Sequence, residues 1–256
     1  MKRRHPMPHR LAAWLPAAVL AAAAALPAPT ASAEPDAIVL APGAPLAIVA
    51  APLAPGEQTT AEACTLTAIG YDNEQRLVGL TAGHCARVGK IVYSEDSSGV
   101  GMIGKIVKIN HDMSHPAVAD EAHPWVEDLD YAVIEFNEEK VIPSSQVRVG
   151  DRTIDVADVG GEPEVGDKVC KVGRTTGLTC GEVTEVKDWA HAATFCTKEG
   201  DSGGPVFLGD RIVGLVTTSV TIVGSNACGT ETGSNIDTVL GAIGPGVGDG
   251  FQQFTE

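Results

Sequence analysis

From Cys64 to Val220 the chain is cut into short runs of β-branched and apolar residues, each closed off by Gly, Asn or Asp. The runs are CTLTAIG, QRLVGLT, KIVYS, MIGKIVKI, YAVIEF, DKVCKVG, CGEVTEV, GPVFL and RIVGLVTTSV. They are too short and too often interrupted for helices, and their spacing predicts an all-β barrel or sandwich of antiparallel strands. One segment, Ser234–Ile243 (SNIDTVLGAI), has helical spacing. Ser234 or Asn235 suits its cap, Ile236, Leu240 and Ile243 share a face, and Gly244 suits its end. The polar, turn-rich stretch 138–166 reads as a bridge between two β-domains, 63–145 and 146–245. Residues 34–62, rich in Ala and Pro, read as an extended spacer or short propeptide with room for one strand near Leu46–Val49, and 246–256 as a tail.

Residues 1–33 are expected to be a signal peptide, not fold. Lys2, Arg3, Arg4 and Arg10 precede the Ala/Leu run Leu11–Leu26, and Ala31-Ser32-Ala33 offers the small residues a signal peptidase reads. A membrane anchor would need about 20 apolar residues and no cleavage site. The chain carries a formal net charge of −15, and the exported part is more acidic still, because those four basic residues leave with the signal. Such a surface repels nucleic acid and anionic lipid, so neither is expected as a partner; the acidity serves solubility. All six cysteines (Cys64, Cys85, Cys170, Cys180, Cys196, Cys228) lie in the exported part. An even count in an oxidising compartment suggests disulfides, although their number alone leaves the pairing open. No cysteine pair or Cys/His cluster has zinc spacing, so no metal or cofactor is expected.

The chemistry concentrates in Gly200-Asp201-Ser202-Gly203-Gly204-Pro205. A serine hydroxyl is a poor nucleophile unless a base takes its proton and donors hold the resulting oxyanion. The glycines allow a sharp turn, which makes the N–H groups of Gly200 and Ser202 the candidate oxyanion hole. The same hexapeptide fits the G-x-S-x-G elbow of α/β-hydrolases, but that fold orders its triad serine, acid, histidine. Here the last histidine, His191, precedes Ser202. The subtilisin order, acid before histidine, conflicts with the short antiparallel strands. The order histidine, aspartate, serine remains. Thr81-Ala82-Gly83-His84-Cys85 follows a strand-like run and supplies the base, with Cys85 placed to pin the loop, most simply to Cys64. Asp130, opening the apolar run Tyr131–Ile134, is the acid that would fix the imidazole; Asp128 competes but lacks the strand directly behind it.

TAGHC, DLDYAV and GDSGGP, in that order, resemble the chymotrypsin-like (trypsin-like) serine peptidases. The run Val169–Gly181 (VCKVGRTTGLTCG) and the step from Cys196 to Ser202 resemble the bacterial streptogrisin and α-lytic branch. The resemblance spans roughly Cys64 to Asn235. It implies two six-stranded antiparallel β-barrels with a short C-terminal helix and the site between the barrels. It also implies the pairs Cys64–Cys85, Cys170–Cys180 and Cys196–Cys228. Asp201 would be buried and balanced by the basic residue after the first cysteine of that run, here Lys171 where arginine is usual. Lysine is a point charge and cannot grip a carboxylate bidentately.

The chain also departs from the branch. Residues 34–62 are too short for a long folding pro-region. Val216-Thr217-Thr218-Ser219-Val220 stands where a Ser-Gly-Gly-like stretch would bind substrate backbone. The specificity pocket, expected from Thr194, Phe195, Val216, Thr217 and Thr218, offers no carboxylate, which points by elimination to an apolar or small side chain before the cut. His111-Asp112-Met113-Ser114-His115 only superficially resembles a zinc motif, because Asp replaces Glu and Pro116 follows at once; it reads as a polar surface loop. The acidic run Asp120, Glu121, Glu127, Asp128 reads as a solvated face. The expected function is a secreted, monomeric bacterial serine endopeptidase acting on proteins or peptides. A protease-fold binding module with weak turnover and an esterase-like hydrolase with the same triad are the alternatives.

Overall fold

The computed structural model describes residues 37–54, 56–95, 99–111, 129–220 and 229–256. The expected signal, 1–33, lies outside them, and all that follows concerns the unit Glu34–Glu256. The first half supplies β1 (Ile38–Leu40), β2 (Pro45–Val49), β3 (Glu62–Thr65), β4 (Ala68–Tyr71), β5 (Leu77–Thr81), β6 (Ile91–Ser94), β7 (Gly104–Asn110), β8 (Tyr131–Phe136) and β9 (Val141–Pro143). The second supplies β10 (Gln146–Val149), β11 (Arg152–Asp155), β12 (Asp158–Val159), β13 (Lys168–Gly173), β14 (Gly177–Val186), β15 (Ala190–Thr197), β16 (Pro205–Leu208), β17 (Arg211–Val220) and β18 (Gly229–Asn235). Helix α1 (Ile236–Ala242) and β19 (Gln252–Gln253) follow.

The runs read as strands become strands because each can bury one or both faces. In β5 (LVGLT) every residue is buried, and in β8 (YAVIEF) all but Glu135 are, since both lie mid-sheet with partners on either side. In the second half β13, β14, β15, β18, β17 and β16 form a ring, closed because β17 pairs with β18 as well as with β16. The first half is an eight-stranded sheet in the order β19-β4-β5-β8-β7-β6-β2-β3, and no described pairing closes it. The expected pair of antiparallel β-barrels is met by one closed six-stranded barrel and one half-barrel. The free edge of β4 is taken by β19, with Gln252 opposite Tyr71.

Two segments outside the expected β-domains are also paired into the first sheet. Within the expected spacer 34–62, β2 sits between β3 and β6 as an integral strand, with Leu46 and Ile48 fully buried. The expected tail 246–256 is held by β19, by the Gly248 N–H donating to Asp72 Oδ2 (3.0 Å), and by Ser144 Oγ donating to Glu256 Oε1 (2.6 Å). Composition hid the pairing of the second, because a strand paired at its edges needs only alternate apolar side chains. Helix α1 forms where expected. Asn235 takes the cap position with extended backbone but makes no capping bond.

Candidate active site

His84 sits on a 3-10 turn, Gly83–Ala86, which follows β5 directly. Asp130 immediately precedes β8, the strand paired with β5, so the sheet register brings the two residues together. The contact is double. Asp130 Oδ2 lies 2.7 Å from His84 Nδ1, and Asp130 Oδ1 accepts the His84 backbone N–H at 2.9 Å. That grip fixes both ring and loop, and it places the proton on Nδ1, leaving the Nε2 lone pair for a substrate-side proton. Burial acts to raise the Asp130 carboxyl, but His84 and His111 beside it outweigh this and hold it below the usual carboxylate range. Asp128, the competing acid, lies outside the described residues. The Cys64–Cys85 disulfide ties this turn to β3.

Ser202 is brought to the same place from the other barrel. Thr65, next to Cys64, donates its N–H to the Ser202 carbonyl at 2.8 Å, and its hydroxyl donates to the Gly200 carbonyl at 2.9 Å. Thr67 Oγ1 donates to the Gly203 carbonyl at 2.6 Å. Three carbonyls of the nucleophile loop are thus held by β3 and the residues after it. Gly200 (φ +94°) and Gly203 (φ +81°) have left-handed backbones that other residues adopt only with strain, and a Cβ at Gly203 would lie 2.2 Å from Thr81 Oγ1. The N–H groups of Gly200 and Ser202 have no acceptor among the described residues, as an oxyanion hole requires. His84 and Ser202 make no hydrogen bond to each other in this structure, and such contacts commonly tighten only when substrate is bound.

Asp201 is fully buried and saturated. It accepts the N–H groups of Thr175 (2.8 Å), Thr176 (3.0 Å) and Lys198 (3.0 Å) and the Thr176 hydroxyl (2.6 Å). Lys171, also fully buried, places Nζ 3.4 Å from Asp201 Oδ2 and donates to the Gly177 carbonyl (2.8 Å) and to Thr176 Oγ1. Burial pushes the Lys171 ammonium down while Asp201 opposes it. Arg174, close by in the same run, forms an ion pair with Glu95 at 2.7 Å.

The residues expected to form the specificity pocket are divided. Thr194 is exposed, and its Oγ1 accepts the Glu182 N–H. Phe195 is buried in the second barrel's core with Val169, Val183 and Val213. Val216, Thr217 and Thr218 are buried on β17. Val216 is bound at both backbone groups, to Gly203 N–H (2.7 Å) and Gly204 O (2.9 Å), and Thr217 is the extra residue of a bulge between β17 and β18. The side chains of Ser219 and Val220 lie outside the described residues.

Several important residues escaped the sequence reading. Thr65 and Thr67 look like ordinary strand residues until the second barrel docks on them. His111, read as part of a surface loop, has a nearly buried side chain, with Nδ1 3.5 Å from Asp130 Oδ1 and its ring edge-on to His84 at 5.9 Å. His115 and the acidic run 120–128 lie outside the described residues. Glu231 is a carboxylate buried wholly inside the second barrel, beside His191 (Nε2 to Oε2, 3.7 Å). Its position in TETGSN, a strand-like run leading into the helix, was the available signal. Burial pushes the Glu231 carboxyl well up despite the opposing charge of Lys171, and burial lowers His191 to about 4 against its bond to Asn235. At neutral pH His191 is therefore uncharged. Below the ordinary value of 4.5 Glu231 is protonated whether folded or unfolded. As pH rises above that, the unfolded chain ionises first and stability is lost. Glu231→Gln should therefore raise the thermal midpoint, and by more at about pH 8 than at about pH 4. Calorimetry at both values checks this, and an equal gain at both would show that the folded carboxyl is already ionised.

Cys170–Cys180 is disulfide-bonded across β13 and β14; Cys196 is bonded too, while Cys228, its expected partner, lies outside the described residues. The ligating atoms of Cys64, Cys85 and His84 lie within 4.8 Å of one another, but the bridge uses both sulfurs, so this grouping is not a metal site.

Comparison with known proteins agrees with this geometry. Streptogrisin-D of Streptomyces griseus is 28% identical over 183 residues, covering 66% of this chain and 41% of that protein. An uncharacterized protein of Mycobacterium tuberculosis is 29% identical over 147 residues, covering 57% of this chain and 61% of its own length. The chain thus spans less than two thirds of the length of these relatives. Among solved structures, Thermobifida fusca protease A aligns with TM-score 0.60 at 19% identity, over 86% of this chain and 100% of that one. An α-lytic protease homolog aligns with TM-score 0.55 at 23% identity, over 80% of this chain and 97% of that one. These likenesses establish a chymotrypsin-like fold. The sequence model of the family described as Trypsin matches residues 58–238, and the chain belongs to the trypsin family.

Proposed function

We propose that this chain is a secreted bacterial serine endopeptidase, cutting peptide bonds through His84, Asp130 and Ser202 without a cofactor. The observation that carries the reading is the pair of hydrogen bonds that Asp130 accepts from His84 on the first half-barrel, together with a nucleophile loop whose Gly200 and Ser202 N–H groups have no acceptor among the described residues. Ser202 Oγ attacks the scissile carbonyl as His84 Nε2 takes its proton. The N–H groups of Gly200 and Ser202 receive the oxyanion, and the proton then passes to the leaving amine. Water, activated by the same imidazole, releases the acyl group. Asp130 stays ionised and steadies the imidazolium. Export is supported by the basic and Ala/Leu-rich start and by the disulfides, and the molecule acts as a monomer on protein or peptide substrates. The competing reading, a binding module with little turnover, draws on the missing His84–Ser202 bond. Labelling by a fluorophosphonate separates the two: a peptidase labels stoichiometrically at Ser202, and a native protein that never labels overturns the proposal.

Within this mechanism Thr175 is a positioning residue. Its hydroxyl donates to the Glu199 carbonyl at 2.6 Å. In a trans peptide the following N–H, that of Gly200, then points the opposite way. Thr175→Val should lower kcat by roughly 10-fold or more with KM little changed, since losing one oxyanion donor outright costs about 10²–10³. Thr175→Ser should restore the rate. Equal kcat in all three would remove Thr175 from this role.

A further inference from the structure

His111 has a nearly buried side chain beside the catalytic pair, and the mechanism above gives it no task. The sheet puts it there. Asn110 and Tyr131 are the last residues paired between β7 and β8, so in an antiparallel ladder the next residue, His111, stands opposite Asp130. The turn that carries His84 closes over the same spot. A Cβ at Gly83 would lie 2.7 Å from the Asn110 carbonyl oxygen and 2.8 Å from Asp130 Oδ1, so strand end, acid and base are packed with no side chain between them.

The Asp130 carboxylate is divided between two imidazoles. Its Oδ2 lies 2.7 Å from His84 Nδ1. Its Oδ1 accepts the His84 backbone N–H at 2.9 Å and faces His111 Nδ1 at 3.5 Å, while the two rings meet edge-on with centroids 5.9 Å apart. At 3.5 Å the contact is too long for a good hydrogen bond and acts through electrostatics. It still fixes the tautomer. A ring nitrogen facing an ionised carboxylate oxygen carries its proton there, because a lone pair in that place would be repelled. Against burial, which raises the Asp130 carboxyl, His84 and then His111 hold it down. The titratable neighbours on the two strands are committed elsewhere. Lys108 Nζ donates to the carbonyls of Ile243 (2.8 Å), Gly244 (2.9 Å) and Pro245 (2.8 Å), and the Tyr131 hydroxyl donates to that of Ala242 (2.8 Å). From β18, the uncharged Ser234 hydroxyl meets only the backbone of Asp130.

We infer that His111 is a positioning residue of this peptidase, a second imidazole that shares the Asp130 carboxylate with His84 and so keeps His84 available as a base at lower pH. This rests on the peptidase reading above. The negative charge of Asp130 holds a proton on the His84 ring. An N–H aimed at the same carboxylate draws on that charge, whether its own ring is neutral or a cation, and the His84 imidazolium is stabilised less. His84 therefore gives up its proton at lower pH. The acid limb of the activity profile lies below the place that Asp130 and His84 alone would set.

The test is the pH profile of kcat/KM for peptide cleavage, from about pH 4 to about pH 9, for the native protein, His111→Phe and His111→Asn, with the rate of fluorophosphonate labelling at Ser202 followed beside it. His111→Phe keeps a ring and removes the N–H. Its acid-limb midpoint should rise by about one pH unit in both assays, so that well below the midpoint kcat/KM falls about 10-fold. His111→Asn, whose amide nitrogen stands in for Nδ1, should return the midpoint toward the native value. A merely structural role would slow the reaction at every pH and leave the midpoint in place; that result, or a midpoint that falls in His111→Phe, overturns the inference. If His111→Phe does not fold, nitrogen NMR of the His111 ring in the native protein decides. A proton on Nδ1 at neutral pH is expected, and a proton on Nε2 with a bare Nδ1 toward Asp130 overturns the inference. Labelling with an unmoved midpoint defeats this inference alone; no labelling and no cleavage by the native protein defeats the peptidase reading as well.

Discussion

Ser202→Ala is expected to lower peptide hydrolysis by about 10⁶-fold in kcat, the scale seen when the nucleophile of a serine triad is removed, and to abolish fluorophosphonate labelling. The thermal midpoint should barely move, because the loop is held by its backbone, through Thr65, Thr67 and Asp201, not by the Ser202 hydroxyl. Ser202 and His84 act as one unit, so Ser202→Ala combined with His84→Ala should be no slower than either alone. Residual activity well above that floor in Ser202→Ala would assign the chemistry to another residue.

Lys171→Met is expected to have the largest effect on stability. It leaves Asp201, fully buried, without the ammonium 3.4 Å from its Oδ2, and breaking a buried pair from one side costs about 3–5 kcal/mol. At about 2–4 °C per kcal/mol for a chain of this size, the midpoint should fall by roughly 6–20 °C. Activity should fall with it, since Asp201 anchors Thr175 and Thr176 as well as the residue before the nucleophile. Asp201→Asn in the same chain should recover part of the loss by removing the stranded charge while keeping an acceptor for those N–H groups. If Lys171→Met costs less than about 1 kcal/mol, the carboxylate is balanced elsewhere. Arg174, committed to Glu95, is the residue to examine next.

The triad was legible in the sequence because each member stands in a local motif that fixes its own loop. TAGHC forms a turn straight off β5, Asp130 opens β8, and the glycines of GDSGGP set the backbone of the nucleophile turn. The strand runs were legible because burying a face of a strand imposes a pattern on nearest neighbours. The specificity pocket was not, because whether a strand residue faces inward depends on register, and a one-residue difference reverses it.

What the sequence determined by itself is therefore the fold class and the chemistry, since both are written in short-range patterns of apolar residues, turn glycines and motif neighbours. Only the tertiary structure decided that the first barrel stays half open with β19 on its edge, that Thr65 and Thr67 grip the nucleophile loop, and that Glu231 is buried inside the second barrel beside His191. These features come from pairing between segments far apart in the chain, where burial and hydrogen-bond satisfaction are properties of the assembled barrel and of no single stretch of residues.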